Sequence, residues 1–317
     1  MLHDIIIVGA GPAGLTAALY ASRFLRSTLV IHDDTSRAAQ IPLTRNVPGQ
    51  DEGISGPDLL ERMSRHASRY GAGFVQGKVT DARRHDGMFH LTTASGASWS
   101  GRSLILATGV AQNQPPLDES VHQAAVDAGV LRYCPVCDGF EHRGERIGVL
   151  GATLSGAAEA LFLAGYSAHV TLVPRRDVAL SDEERRDLER AGVHVLSEPV
   201  TRFEPTDRQM ILHLEGRRAP LSLDVLYPAL GSRPRNDLAR AIRLRTTDEG
   251  KAPAAAPFGT DIPGPYCAGD VVEGLDQISV AMGHGAVAAM KAHNWLRESD
   301  GETVQAVLDH DAAGASN

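Results

Sequence analysis

Two of the three cysteines in this 317-residue chain stand together in "RYCPVCDGFEHRG", residues 132–144, as Cys134 and Cys137. A C-x-x-C at a turn or helix start brings two sulfurs within disulfide reach. Backbone N–H groups there can lower a thiol pKa from about 8.5 toward 7 or below. Pro135 stiffens the turn. Asp138 follows directly, where a carboxyl can hand a proton to a leaving thiolate or take one. A zinc site is the second reading, with Cys134, Cys137 and His142 as ligands. No second C-x-x-C and no paired histidines follow at zinc spacing. Inert thiols are the third reading, because free cysteine packs as a small hydrophobe. Cys267, in "PYCAGD", reads as a packed strand residue.

The glycines carry the second kind of chemistry. Gly9, Gly11 and Gly14 form G-x-G-x-x-G directly after an apolar strand and at the start of a helix. The first glycine allows a tight turn, the second lets backbone approach a pyrophosphate, and the third lets helix pack on strand. The acidic pair Asp33 and Asp34 lies about 20 residues on, where a ribose contact belongs. A second loop, "VLGATLSGAAEAL", has Gly151 and Gly156 in place but Thr153 at the middle position. After the next strand, Arg175 and Arg176 can pair with a 2′-phosphate, because guanidinium matches phosphate geometry.

These groups need elements to hold them. "HDIIIVGAGPAGLTAALYASRFLRSTLVIHDD" reads as strand, tight turn, helix and strand, the first strand being apolar on both faces as in a parallel sheet. "GPDLLERMSRHASRYGA" has helical periodicity. Period-2 alternation then runs from Gly73 to Gly109, with turn signals that predict an antiparallel meander. "AQNQPP" reads as a linker. A second α/β pattern follows, with strands in "ERIGVLG" and "SAHVTLV". A helix in "SDEERRDLERAG" opens on a capping box of Ser181 and Glu184. "GSRPRN" reads as another linker. The last segment reads as strand, loop and long helix, with a mobile tail from about Glu298. The fold class is therefore α/β, with two Rossmann-like nucleotide-binding domains and the second inserted into the first. The expected boundaries are 1–113 with 244–317 for the first domain and 114–243 for the second.

Length and a hydrophobic fraction of 43% fit two globular domains. The net charge of −8 argues against nucleic acid. No apolar run reaches the roughly 18 residues of a membrane helix, and the N-terminus lacks the basic flank of a signal peptide. The expectation is a cytoplasmic protein without a membrane anchor. In that setting a C-x-x-C is catalytic or metal-binding rather than part of a disulfide framework.

Taken together, "GAGPAGLTAALYASR", "ILATG" ending at Gly109, "CPVCDGF", "GVLG…SG…EALFLA", "PRRD" and "AGDV…Q…A…G" from Ala268 resemble the low-molecular-weight thioredoxin reductase family of flavoprotein disulfide reductases. The resemblance spans almost the whole chain. It implies FAD in the first domain and NADPH in the second. Electrons would pass from NADPH to flavin, then to the cysteine pair, then to a thioredoxin-like protein or a small disulfide. By the resemblance, Cys137 faces the flavin, Cys134 attacks substrate and Asp138 is the acid. It places Gly9, Gly11, Pro12, Ala13, Gly14, Asp33, Gln40, Asn46, Gly109, Gly269, Asp270 and Gln277 around FAD. Gly151, Gly156, Arg175 and Arg176 fall at the nicotinamide nucleotide. It also implies a homodimer.

The chain departs from that pattern in four places. Thr153 replaces a loop glycine. The family's "HRRDxxR" reads "PRRDVAL", with Pro174 and Leu180 at the exchanged positions. Its Gly-Gly before a glutamine reads Ala38-Ala39-Gln40. Asp276 stands where the family has arginine before Gln277. A branch of the same superfamily oxidises small dithiols with oxygen and often carries "CxxCHGxE"; this chain has Asp138 like a reductase and Glu141 like that branch. The readings in competition are a reductase, a dithiol oxidase or reductase with another donor, and a redox sensor without turnover.

Overall fold

A computed structural model describes residues 2–254, 260 and 262–302. In chain order the first elements are β1 (Leu2–Val8), α1 (Pro12–Arg23), β2 (Thr28–His32), α2 (Gly56–Ser68), β3 (Gly73–Gln76), β4 (Val79–His85), β5 (Met88–Thr93), β6 (Ser98–Leu106) and β7 (Val110–Gln112). There follow α3 (Glu119–Asp127), α4 (Pro135–Asp138), β8 (Ile147–Leu150), α5 (Leu154–Ala164), β9 (Val170–Val173), α6 (Asp182–Arg190) and β10 (His194–Val195). The rest are β11 (Val200–Pro205), β12 (Met210–Leu214), β13 (Leu221–Leu223), β14 (Val225–Pro228), β15 (Ser232–Pro234), α7 (Asp237–Ala241), β16 (Pro265–Cys267) and α8 (Ile278–Ser299).

The chain divides into two compact units. One comprises Met1–Ile41, Ser55–Ala111 and Arg233–Asn317, the other Pro42–Ile54 and Gln112–Ser232. This division differs from the sequence-based boundaries in three places. The outward crossing lies at 111/112 rather than at 113/114, the return crossing at 232/233 rather than at 243/244, and the segment Pro42–Ile54 groups with the second unit. The two crossings, β7 and β15, pair as a two-stranded ribbon.

The first unit is built on a sheet in the order β3-β2-β1-β6-β5-β4. Strand β1 alternates its apolar side chains between two cores. Ile5 and Ile7 pack with residues of α1 and α8, and Ile6 and Val8 with residues of α7 and the meander. That explains why Ile5–Val8, the buried half of β1, are apolar on both faces, as a doubly covered stretch must be. The meander is confined to β4, β5 and β6. β3 pairs parallel with β2 instead. Strand β6 changes partner along its length: Ser98–Gly101 pair antiparallel with β5, while Leu104–Leu106 pair parallel with β16. One strand thus belongs both to the meander and to the parallel sheet.

Helix α8 lies against α1 through glycine. A Cβ added at Gly285 would overlap the carbonyl oxygen of Ala13 and reach the Ala17 nitrogen at 3.0 Å. Alanine in a helix gains about 1 kcal/mol over glycine, but overpacking costs about 1–3 kcal/mol. Here the obstacle is backbone, which cannot rotate away. Gly285→Ala should therefore destabilise on balance, lowering Tm by about 2 °C or more in calorimetry. An unchanged or raised Tm would contradict this packing.

The long helix runs past the expected start of the tail. Glu298 lies within α8, and Asp300 after it is bound by Arg26 at 3.3 Å and by Arg102. The remaining predicted tail, 303–317, lies outside the described residues.

In the second unit a parallel sheet has the order β10-β9-β8-β14. Ile147, Val149 and Tyr227 pack against Ala157, Ala160 and Leu163 of α5. Leu150, Val173 and Leu226 pack on the opposite face with Ala125 and Leu131. The capping box forms as read: Ser181 Oγ accepts from the Glu184 N–H at 3.2 Å and Glu184 accepts from the Ser181 N–H at 2.7 Å. Helix α3 and the antiparallel sheet β11-β12-β13 were not anticipated. Among the described residues no helix is long and apolar enough to cross a membrane.

Candidate active site

Cys134 and Cys137 are joined as a disulfide with Cα atoms 5.2 Å apart. Cys134 is the N-cap of the short helix α4, and Pro135 occupies its first turn, where a missing N–H costs nothing. The Cys137 N–H donates to the Cys134 carbonyl at 2.9 Å, closing the turn that brings the sulfurs together. The sulfurs are thus bonded to each other rather than arranged about a metal. The third ligand of the zinc reading, His142, pairs with Glu145 at 2.7 Å. Both cysteines are partly exposed.

Asp138 follows Cys137 directly, as the last residue of the short helix that Cys134 caps. Burial pushes its carboxyl above the usual carboxylate range. The hydrogen bond from Tyr227, the Arg132 guanidinium and His142 pull against that, while Glu141 adds to it. The Tyr227 hydroxyl donates to Asp138 Oδ1 at 2.7 Å, and Arg132 Nε lies 3.5 Å from Oδ2. A carboxyl raised in this way beside a disulfide can exchange a proton with a sulfur.

Beside the cysteines, Val136 and Phe140 are 51% and 58% exposed. The Arg143 guanidinium sits 3.5 Å from the centre of the Phe140 ring. This is an apolar, cation-flanked patch directly at the redox turn.

In the first unit, the opening glycine turn has the geometry its spacing predicts. Gly9 has φ +109°, and a Cβ there would overlap the Ala107 carbonyl. A Cβ at Gly14 would overlap the Gly9 carbonyl, so helix and turn meet backbone to backbone. Gly11 is freer, with a Cβ meeting only Ser36 Oγ at 3.3 Å. Helix α1 starts at Pro12, with Ala13 and Gly14 buried behind it. Asp33 directly follows β2; burial works to raise its carboxyl, but hydrogen bonds from Thr35 and the charge of Arg235 outweigh this and hold it low. Asp34 is instead engaged by His32 at 2.8 Å and Gln76 at 2.6 Å.

Gly269 and Asp270 come to the same turn. A Cβ on Gly269, at φ +79°, would lie 2.8 Å from the Ala13 Cβ. Asp270 is raised by burial and by Asp276, against the pull of Arg37 and Lys251. Asp276 does not leave an unbalanced charge. Arg37 lies 3.3 Å from Asp270 and 3.7 Å from Asp276, and Lys251 binds Asp276 at 2.7 Å. Gln40 closes the short 3-10 helix Arg37–Gln40, and Gln277 is the N-cap of α8. Gly109 sits in an open turn at φ +65°. Asn46 accepts from the Thr44 hydroxyl at 2.8 Å, in the segment that groups with the second unit. A glycine turn with no room for a Cβ at Gly9 or Gly14, an open helix N-terminus and a half-buried acid beside it fit the pyrophosphate and sugar chain of a dinucleotide.

The second glycine turn repeats the first in outline. Gly151 has φ +123°, and a Cβ at Gly156 would overlap the Gly151 carbonyl. Thr153 is the exposed N-cap of α5, so its side chain stands where Gly11 offers bare backbone. Arg175 and Arg176 are exposed after β9, free of the fold's interior. This turn fits a nucleotide phosphate, in a pose that accommodates the Thr153 side chain. Cys267 is buried in β16 with its thiol pushed up to about 12 by burial, as a packed strand residue should be.

Sequence reasoning missed Tyr227 and Arg132. Tyr227 reads as one more apolar strand residue in "DVLYPAL". The usable signal was that a tyrosine in a buried strand needs a hydrogen-bond acceptor for its hydroxyl.

Comparison with known proteins bears on the same residues. The family described as "Pyridine nucleotide-disulphide oxidoreductase" matches residues 3–285. A thioredoxin reductase of Coxiella burnetii is 32% identical, covering 93% of this chain and 96% of its own. One from Mycolicibacterium smegmatis is 32% identical, covering 94% and 98%. The crystal structure of thioredoxin reductase from Streptococcus pyogenes superposes with a TM-score of 0.86 at 27% identity, covering 94% of this chain and 99% of that one. The chain is thus an oxidoreductase of the FAD- and NAD(P)H-using disulfide type, and belongs to the pyridine nucleotide-disulphide oxidoreductase family and, within it, to the low-molecular-weight thioredoxin reductases.

Proposed function

We propose that this chain uses NADPH to reduce a protein disulfide of the thioredoxin type through Cys134 and Cys137. The observation that carries the reading is the Cys134–Cys137 disulfide with a half-buried, raised Asp138 directly after it. FAD would be held by Gly9, Gly11, Pro12, Ala13 and Gly14 at its pyrophosphate and by Asp33, Gln40, Asn46, Gly109, Gly269, Asp270 and Gln277 along the rest. When bound it supplies a two-electron carrier between nucleotide and disulfide. NADPH would lie on Gly151 and Gly156, with Arg175 and Arg176 on its 2′-phosphate.

The cysteine pair does the exchange. Cys137 is the sulfur on the electron-input side, and Cys134 attacks substrate. Cys134 gives its proton to Asp138 and bonds to one substrate sulfur, while the other leaves as a thiolate. Cys137 then gives its proton to solvent, displaces the first and closes the Cys134–Cys137 disulfide, and the second substrate sulfur takes its proton from solvent. Two electrons have moved to the substrate, and Asp138 returns its proton to a departing sulfur. The exposed Val136 and Phe140, with Arg143, support a macromolecular disulfide as substrate, since a small disulfide needs no such rim. Cytoplasmic location and a homodimer complete the proposal.

A second reading, dithiol oxidation without NADPH, is favoured by Thr153, Pro174, Leu180 and Glu141. Anaerobic titration separates the two. NADPH bleaches the flavin band rapidly under the first reading; under the second, dithiothreitol does so and NADPH barely does. Nucleotide choice has its own test. Replacing Arg175 and Arg176 together by alanine removes a charge-assisted contact worth about 2 kcal/mol. The Kd for NADPH should rise roughly 30-fold, with that for NADH unchanged. Equal losses for both nucleotides would sink the 2′-phosphate assignment.

A further inference from the structure

Tyr227 is fully buried in the sheet of the second unit, yet it spends its hydroxyl on one carboxyl oxygen 89 residues earlier in the chain, Asp138 Oδ1 at 2.7 Å. Burial pushes the Tyr227 phenol up, so it stays protonated and can only donate this bond while Asp138 accepts. Arg132 Nε faces the other oxygen, Oδ2, at 3.5 Å and makes no closer hydrogen bond among the described residues. His142 and Glu141 are the remaining charged groups that act on Asp138. His142 is itself tied to Glu145.

We propose that Tyr227 is the positioning residue of Asp138: its hydroxyl fixes Oδ1 as a permanent acceptor, leaving Oδ2 as the oxygen that takes up and delivers the proton exchanged with the cysteine pair. The inference rests on the acid role proposed above for Asp138. Arg132 follows the state of Oδ2, attracting it when ionised and releasing it when protonated. A phenylalanine at 227 would fill the same apolar space against Ala157, Ala160 and Leu163, so packing alone does not account for the hydroxyl.

The test uses the full-length flavoprotein, reduced with dithiothreitol, desalted without oxygen and mixed with 4,4′-dithiodipyridine. In this reaction the Cys134 proton goes to Asp138, Cys134 sulfur bonds to one pyridyl sulfur, and the other leaves. Cys137 loses its proton to solvent and displaces the pyridyl sulfur still bonded to Cys134, closing the disulfide, so the cysteine pair is oxidised and the probe is reduced to two molecules of thiopyridone, which take up the two protons. The initial rate of thiopyridone release is followed from about pH 5 to about pH 9. Asp138 acts as a base here, so the rate rises as pH climbs through its pKa. Tyr227→Phe removes a bond that stabilises the carboxylate, which raises that pKa. The inflection should move up by about one pH unit, with the plateau rate kept within about threefold. Replacing Tyr227 with 3-fluorotyrosine, a stronger donor, should move the inflection down, and this holds even if the phenylalanine variant fails to fold. Asp138→Asn should remove the inflection. If Asp138→Asn removes it but neither change at 227 moves it, Tyr227 is only packing and the inference is overturned. If Asp138→Asn leaves the profile intact, the acid role itself fails.

Discussion

Cys137→Ser should reduce disulfide turnover by about 10³-fold or more, the scale of losing a group that acts as part of a covalent unit. NADPH should still bleach the flavin in that variant. The reason lies in the turn. Cys134 and Cys137 are bonded across a single helical turn capped by Cys134 and stiffened by Pro135. Serine at 137 keeps the size and polarity of that turn but cannot form or break the disulfide. Cys134 remains able to attack, and the mixed disulfide it makes has nothing to resolve it. The expected result is therefore a stable one-to-one adduct on Cys134, visible as added mass and released by reductant. Sustained turnover in this variant would remove the cysteine pair from the chemistry.

Gly14→Val should give a protein that does not retain FAD. Even a Cβ at this position overlaps the Gly9 carbonyl, and Gly9 is itself held at φ +109° against the Ala107 carbonyl. No flexible side chain stands in the way, so the turn must move as a block. The cost should reach about 3 kcal/mol or more, the upper end of overpacking. A displaced turn loses the backbone N–H groups that a pyrophosphate requires. Gly156→Val makes the same overlap with Gly151 in the second unit. It should spare the yellow colour and abolish nucleotide binding instead. Circular dichroism on both variants checks that secondary structure survives. A Gly14→Val protein that binds FAD normally would contradict the assignment of the first turn.

Much of this site was legible in the sequence because its parts are local. The glycine turns, the Cys134–Cys137 spacing and the Ser181 capping box each depend on residues only a few positions apart. Their geometry follows from steric rules that act at that range. The doubly covered stretch of β1 was readable for the same reason. What was not legible depends on long-range contacts. Tyr227 meets Asp138 from a strand far along the chain. Arg37 and Lys251 neutralise Asp276, whose departure from the family pattern looked isolated in the sequence. The change of partner within β6 has no local signature, because both of its halves are apolar or alternating in ways either pairing allows. The tail was placed too early because apolar periodicity fades before the helix ends. Ion pairs of Asp300 with Arg26 and Arg102 fasten the end of α8 beyond its last buried apolar residue, Leu296. The three-stranded sheet β11-β12-β13 went unread although β12 alternates buried and half-buried residues as a strand should.

The most direct measurement is an anaerobic titration of the purified flavoprotein with substoichiometric NADPH, followed by alkylation and mass spectrometry at each step. Carboxymethyl groups should appear together on Cys134 and Cys137, in proportion to the electron pairs added, with Cys267 left unmodified. A flavin that becomes fully reduced while the Cys134–Cys137 disulfide stays closed would contradict the account.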